Sequence, residues 1–262
     1  AERVLRQFEQ AIPRNRDVQQ FLRDQAPDLV LLTPLVDLGS PQIETFMCAR
    51  ALGLRTVLCV GSWDHLSSKS ILRAIPDLVT VWNETQKQEA VALHRVPGDR
   101  VAVTGAQCYD QWFDRRPSRS RGEFCEQVGL DPSRPIVLYV ASSLFRKTVS
   151  EPKFIEQWIA AVRGSSDPLV REAGVIIRPH PSRSDDWHTT DLTEFRSVAL
   201  FGSHPVDVGA KNDYFDSFYH ASAVVGLNTS AFLEAGVAGK PVLTILLPEI
   251  SRDNQEGTLH FQ

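Results

Sequence analysis

VVGLNTSAFLEAGVAGKPVLTI, residues 224–245, decides how the rest of the chain is read. The apolar run through Val225 delivers Asn228, Thr229 and Ser230, three small polar residues, to the start of a helix-length segment, AFLEAGVAG at 231–239. Pro241 then opens a second apolar run, PVLTIL at 241–246. Strand, helix and strand in this order form a βαβ unit, and its two strands must run parallel.

The same rhythm continues towards the N-terminus. PIVLYVASS (135–143), GVIIRPHP (174–181), SVALFG (197–202) and AVVGLNTS (223–230) read as strands, with helices at FIEQWIAAVR (154–163) and DYFDSFYHA (213–221). Earlier still, DLVLLTP (28–34), RTVLCVG (55–61), DLVTVW (77–82) and RVAVTG (100–105) alternate with helices at 41–52 and 84–94. The apolar runs are continuous rather than alternating, the pattern of parallel strands buried on both faces. Between the two series the pattern fails. DRRPSRSRGEFCEQVGLDPSRP (114–135) holds three prolines and Arg115, Arg116, Arg119 and Arg121, with a short helix expected at 121–128. Its arginines read either as a solvated linker or as a binding patch. The expected organisation is therefore a Rossmann-like domain at 1–113, a linker at 114–134 and a second Rossmann-like domain at 135–262. The class is α/β, two doubly wound parallel sheets facing a cleft. A doubly wound domain normally begins with a buried strand, but this chain opens with AERVLRQFEQ, a charged helical segment. The first domain is accordingly expected to be incomplete at its N-terminus, as in a piece of a longer protein.

Composition narrows the function classes. The chain has 262 residues, 42% hydrophobic and 23% charged, with a net charge of −4. Nothing in that balance attracts nucleic acid or an anionic membrane globally. No stretch reaches the roughly 20 apolar residues of a membrane span. Cys48, Cys59, Cys108 and Cys125 form no C-x-x-C pair, and no histidine stands at ligand spacing from them, so reduced thiols and no zinc site are expected.

Ligands of open parallel sheets bind beyond the carboxyl ends of the strands, where the strand order reverses. Residues just after each strand are thus the candidates. Asn228, Thr229 and Ser230 would present hydroxyls and backbone N–H groups to a phosphate, and Glu234, one helical turn on, could accept hydrogen bonds from a ribose. Plain helix capping explains the same residues equally well. Arg178 and His180 in RPHP make an anion clamp held extended by Pro179 and Pro181, or merely an exposed loop. Ser142 and Ser143 close the strand IVLYVA; His204 follows SVALFG and could line a base pocket. In the first domain, GSWDHLSSKS (61–70) gathers Asp64 and His65, a carboxylate and an imidazole suited to general-base work, and Lys69, which could meet an anionic group. A capped helix start is the alternative there. Asp37 and Glu44 are weaker candidates, and Gly105 serves close ligand approach or a tight turn.

GLNTSAFLEAGVAGKPV at 226–242 resembles the donor-site segment of glycosyltransferases of the GT-B fold. RPHP, VTGAQCYDQWF at 103–113 and GLDPSRPIVLYVASS at 129–143 fit the same group. SWDHLSSKS at 62–70 is similar to the W-D-N-L-T-S-K-G run of bacterial surface-polysaccharide enzymes, with His65 standing where relatives often carry asparagine. The relatives are capsule-type sugar transferases, CDP-glycerol glycerophosphotransferases and non-hydrolysing UDP-N-acetylglucosamine 2-epimerases. The resemblance implies that Asn228, Thr229 and Ser230 hold donor phosphates, Glu234 the ribose, and Arg178 and His180 the anionic end.

The activity expected is transfer of a sugar, or a similar phosphate-linked unit, from a nucleotide-diphosphate donor to a carbohydrate or lipid-linked acceptor. No metal and no further cofactor are expected. Asp64 or His65 would be the base, and the setting the bacterial cytoplasm, with peripheral contact at the inner face of the membrane. A sugar-nucleotide 2-epimerase and a non-catalytic nucleotide- or partner-binding module are the alternatives. The turn from Leu227 to Phe232 is expected to offer its unpaired amides to a pyrophosphate in the cleft.

Overall fold

A computed structural model describes residues 8, 11–36, 40–69, 72–142, 150–187, 190–227 and 229–245. Asp37, Ser143, Asn228 and most of the opening segment 1–10 lie outside them. The chain divides into two compact units, residues 1–108 and 109–262.

The first unit carries a four-stranded parallel sheet. Its helix α1 (Arg16–Gln25) begins where the Asn15 side chain accepts hydrogen bonds from the N–H groups of Asp17 and Val18, at 2.9 and 3.2 Å. Strand β1 (Leu29–Leu32) follows, then α2 (Gln42–Ala51), β2 (Arg55–Cys59), β3 (Leu78–Val81), α3 (Glu84–Ala92) and β4 (Val101–Val103). The strands lie in the order β1-β2-β3-β4. Phe46, Cys48, Leu58, Val79, Val81 and Ala90 form the core of this unit. The edge departs from the expected two-sided burial: β1 alternates, with Leu29 and Leu31 exposed and Val30 and Leu32 buried. An edge strand has a neighbour on one side only, and here helices cover one of its faces.

The second unit opens with α4 (Asp110–Asp114) and α5 (Arg121–Val128), so both belong with the later strands. Then come β5 (Ile136–Val140), α6 (Glu151–Arg163), α7 (Pro168–Arg171), β6 (Gly174–Arg178), β7 (Val198–Leu200), α8 (Val208–His220), β8 (Ala223–Gly226), α9 (Ala231–Val237) and β9 (Val242–Thr244). The parallel order is β7-β6-β5-β8-β9. Alternate residues of the central strands feed two separate cores. Ile136, Leu138 and Ile176 pack with Phe124, Phe218 and Val224. Tyr139, Val175 and Ile177 pack with Ile155, Ile159 and Trp187. Helices on both sides of one sheet bury it twice, which is why β6 is buried at every position and apolar but for its terminal arginine. Helix α8 starts five residues before the expected DYFDSFYHA because Asp207 caps it, accepting from Ala210 N–H at 2.8 Å.

Residues 114–134, expected as a linker, fold into the second unit. Ser118 donates from both N–H (2.8 Å) and Oγ (2.6 Å) to the fully buried Asp216 of α8, and Arg119 pairs with Asp213 and Asp216. Arg115 donates to Asn212, and Arg121 to the carbonyls of Pro132, His220 and Arg134. These three arginines fasten the segment to its own domain rather than facing water.

Candidate functional site

In the second sheet β5 leads outward to β6 and β7 on one side, and the chain crosses to β8 and β9 on the other. Between β5 and β8 the winding reverses, and the residues beyond these strand ends diverge to leave a crevice. A cavity of about 200 Å³ lies there. Val140 and Ala141 at the end of β5 line it, with Arg178, Pro179 and His180 from β6 and His204 and Pro205 from beyond β7. Tyr214 of α8, Thr229 and Ser230 after β8, and Glu234 of α9 complete it. Six residues singled out in the sequence, Arg178, His180, His204, Thr229, Ser230 and Glu234, thus meet in one place.

Arg178 dominates the electrostatics. Its side chain is 4% exposed, its guanidinium lies 4.5 Å from the centre of the Tyr214 ring, and Nη2 donates to the Ser203 carbonyl at 2.8 Å. Nη1 is buried with no hydrogen-bond partner among the described residues. A Cβ on Gly202, whose φ is +101°, would fall 1.9 Å from that nitrogen, so only glycine leaves room for the guanidinium. Burial lowers the arginine's pKa, while Tyr214, Asp213 and Glu234 oppose the shift. A desolvated cation with a donor to spare costs stability unless something anionic or polar completes it.

Glu234 accepts a short hydrogen bond from the Tyr214 hydroxyl. Burial raises its carboxyl above the ordinary range, with the Tyr214 hydroxyl and Arg178 pulling the other way. His180 is lowered, chiefly by burial and then by Arg183 and His204. Its Nδ1 accepts from the Ser182 backbone N–H at 3.2 Å. A backbone N–H can only donate, so the neutral ring carries its proton on Nε2 and acts as a hydrogen-bond donor there.

The turn before α9 differs from expectation. Ala231 N–H donates to Thr229 Oγ1 at 3.3 Å, Phe232 N–H to the Thr229 carbonyl at 3.2 Å, and Leu233 N–H to the Ser230 carbonyl at 2.9 Å. Thr229 folds back on the turn it begins and takes up amides that were expected to face a pyrophosphate. With α9 only seven residues long, the helix end adds little dipole. Beside this turn the buried guanidinium of Arg178 lines the pocket. Ser142 differs too. It is buried beside the cavity rather than in its lining, and its N–H donates to Glu151 Oε1 at 2.9 Å.

Asp64, His65 and Lys69 form a second cluster, in the first unit. His65 and Leu66 begin a π-helical turn, His65–Lys69, that buries both. Asp64 accepts from Ser62 Oγ at 2.7 Å and pairs with Lys69 Nζ at 3.3 Å. Burial raises the Asp64 carboxyl, but Ser62 and Lys69 outweigh it and hold the group below the usual carboxylate range. Lys69 is therefore engaged by Asp64, and Asp64 is a weak base. Glu44 serves the fold, accepting from Asn15 N–H at 2.7 Å and from the Cys48 thiol. Gly105, at φ +82°, is a tight turn with open space around it.

No protein-family model matches the chain, and no curated protein matches it. Solved structures do. The UDP-GlcNAc 2-epimerase of Neisseria meningitidis, bound to UDP-GlcNAc, aligns with a TM-score of 0.62 at 14% identity, over 90% of this chain and 65% of that one. The corresponding enzyme of Methanocaldococcus jannaschii gives 0.60 at 12% identity, over 92% and 68%. A glycosyltransferase of Rickettsia africae gives 0.52 at 12%, over 87% and 60%. The fold is GT-B-like. The chain spans roughly 60–68% of the length of these structures.

Within this GT-B-like fold, sequence reasoning missed Tyr214, Gly202 and Ser203. Tyr214 sits mid-helix in DYFDSFYHA, where an aromatic reads as core. Two aromatic neighbours do hold it there, Trp112 and Phe218, at centroid distances of 5.6 and 5.0 Å. Its hydroxyl is the only hint of another role. Gly202 after SVALF carried a usable signal, since a glycine at a strand's carboxyl end marks close approach as well as a turn.

Proposed function

We propose that the second unit binds the diphosphate and ribose of a nucleotide-activated sugar, and that the protein transfers the sugar to a carbohydrate or lipid-linked acceptor. The observation that carries this is the buried Arg178, its Nη1 without a partner among the described residues, in the lining of a pocket that also holds Glu234, Thr229 and Ser230 at the sheet's switch point. Arg178 and the Nε2–H of His180 would meet the diphosphate, and Glu234 a ribose hydroxyl. In the reaction the bond from the anomeric carbon to the diphosphate oxygen breaks, its electron pair leaves with the diphosphate, and the acceptor oxygen bonds to that carbon. Charge grows on the leaving oxygens, so Arg178 and His180 stabilise the transition state more than the ground state. These groups supply the positive charge in the proposal, and no metal is invoked. His65 is the proposed base for the acceptor proton, because Asp64 is held ionised by Ser62 and Lys69. A cytoplasmic donor and peripheral contact with the membrane's inner face belong to the same proposal.

The test is calorimetry with UDP, CDP and GDP, followed by Arg178→Ala and Glu234→Ala. One of the three should bind, and both variants should weaken it; heat from none of them sinks the proposal. A second reading, sugar-nucleotide 2-epimerisation, is supported by the UDP-GlcNAc 2-epimerases among the similar structures. Incubation with UDP-GlcNAc alone separates the two, since an epimerase turns over without an acceptor.

A further inference from the structure

The two groups assigned to opposite parts of the ligand share one neighbour. Arg178 rests its guanidinium on the face of Tyr214, at 4.5 Å from the ring centre, and Glu234 receives the hydroxyl proton of the same residue. We propose that Tyr214 is the positioning residue of this pocket, its ring setting Arg178 for a phosphate and its hydroxyl setting Glu234 for a sugar hydroxyl.

The geometry around the ring supports a fixed part rather than an adaptable one. Trp112 meets Tyr214 edge-on at 83°, and Phe218 meets it at 69°, so the ring is packed from two directions. The Gly202 backbone lies close against Nη1, and the Ser203 carbonyl accepts from Nη2 at 2.8 Å. Arg178 is confined between an aromatic face and a backbone, with Nη1 left over. A rigid cation of this kind prefers a ligand whose anionic group arrives at one place. On Glu234 the Tyr214 hydroxyl occupies Oε2, and Oε1 has no hydrogen-bond partner among the described residues. A carboxylate tethered at one oxygen offers the other in a set direction. The ligand class that satisfies both is a polyhydroxyl group joined to phosphate, with the hydroxyl donor and the anion a fixed distance apart. A nucleoside diphosphate has this form.

The inference rests on the pocket being a nucleotide site, and three probes separate its failure from the failure of that reading. Tyr214→Phe keeps the ring, hence the Arg178 contact and the aromatic packing, and removes only the hydroxyl. Calorimetry of this variant should show UDP and uridine weakened by on the order of tenfold, the loss of one charge-assisted hydrogen bond's orientation, with inorganic pyrophosphate unaffected. Arg178→Lys should show the converse, weaker UDP and pyrophosphate with uridine unaffected. In a Glu234→Gln background, Tyr214→Phe should have no further effect on uridine, because its action runs through the carboxylate. Glu234→Gln also supplies the same readout should the phenylalanine variant not fold.

The pH profile gives a signature that packing alone would not move. Glu234 faces Tyr214 and Arg178, with His180 and His204 across the same cavity. A ligand hydroxyl donates to the ionised carboxylate, so binding is lost as pH falls through its pKa. Removing the Tyr214 hydroxyl takes away a hydrogen bond that favours ionisation, and the acid limb of UDP binding should move to higher pH. Uridine binding equal to wild type in Tyr214→Phe, or additive losses in the double variant, overturns the role of Tyr214 while leaving the site intact. No binding of UDP, CDP or GDP, of their nucleosides or of pyrophosphate by the unaltered protein overturns both.

Discussion

Arg178 sits at the end of a strand buried at all five positions, where a leucine or methionine would pack at lower cost. Taking a guanidinium out of water is unfavourable by several kcal/mol, and its neighbours here are one carbonyl, one aromatic face and Glu234, whose carboxyl burial raises above the ordinary range. Residues of this kind are kept for binding rather than for stability. Arg178→Met should therefore leave the thermal midpoint unchanged or higher while raising the dissociation constant for UDP by on the order of a hundredfold. A variant that unfolds at markedly lower temperature would mean that the arginine is there to hold the fold. His180 is a companion case. Its neutral Nε2–H form follows from the Ser182 N–H on Nδ1, and a long-range nitrogen–proton correlation spectrum near neutral pH should show that tautomer. Proton on Nδ1 would refute its assignment as a donor.

At the scale of elements, the loop after β7 and the strap before β5 do work that their composition hides. Gly202 and Ser203 form the mould around Arg178. Gly202→Ala introduces a Cβ at φ +101° and 1.9 Å from Nη1, so it should lower stability and UDP affinity together. In an Arg178→Ala background the clash is gone and only the backbone strain remains, so the alanine should cost less there. Equal costs in the two backgrounds would show that strain alone is responsible. Residues 115–121 strap α5 to α8 through Asp216, which receives Ser118 twice and Arg119 once. Removing one partner of a buried pair strands the others, and Asp216→Ala should cost about 3–5 kcal/mol in denaturant unfolding. A loss under about 1 kcal/mol would mean that water replaces the carboxylate easily.

At the scale of the folded domain, one buried acid ties stability to pH. Glu151 is 2% exposed and accepts from the Tyr139 hydroxyl and Ser142 N–H, both at 2.9 Å. Burial pushes its carboxyl up to about 8, against the opposing pull of Ser142, Tyr139 and Arg183. The folded state thus holds a proton that the unfolded chain releases near the ordinary carboxylate range. The stabilisation is complete below that range and is lost as pH rises towards 8, at about 1.4 kcal/mol per pH unit. The thermal midpoint should accordingly fall between pH 6 and about 8. Glu151→Gln should flatten that slope, and an unchanged slope in the variant would assign it to other groups. None of the helices among the described residues is long and apolar enough to cross a membrane.

Nine strands and their parallel sense were legible from the chain alone, because a strand buried on both faces must be apolar at nearly every position and a helix between two such strands makes them parallel. The candidates around the second sheet were legible for the same reason: Arg178, His180, His204, Thr229, Ser230 and Glu234 each follow a strand or open the helix after it. Burial of β6 and the end of β5 in a shared crevice was decided only by the fold, since strand order depends on long-range packing that no local pattern records. Tertiary structure alone also placed Tyr214 between Arg178 and Glu234, from a helix 36 residues beyond one and 20 before the other. It turned Thr229 back onto its own turn, and it drew the arginine-rich strap into the second domain. In each case a side chain had several chemically acceptable partners nearby in sequence, and three-dimensional proximity chose among them.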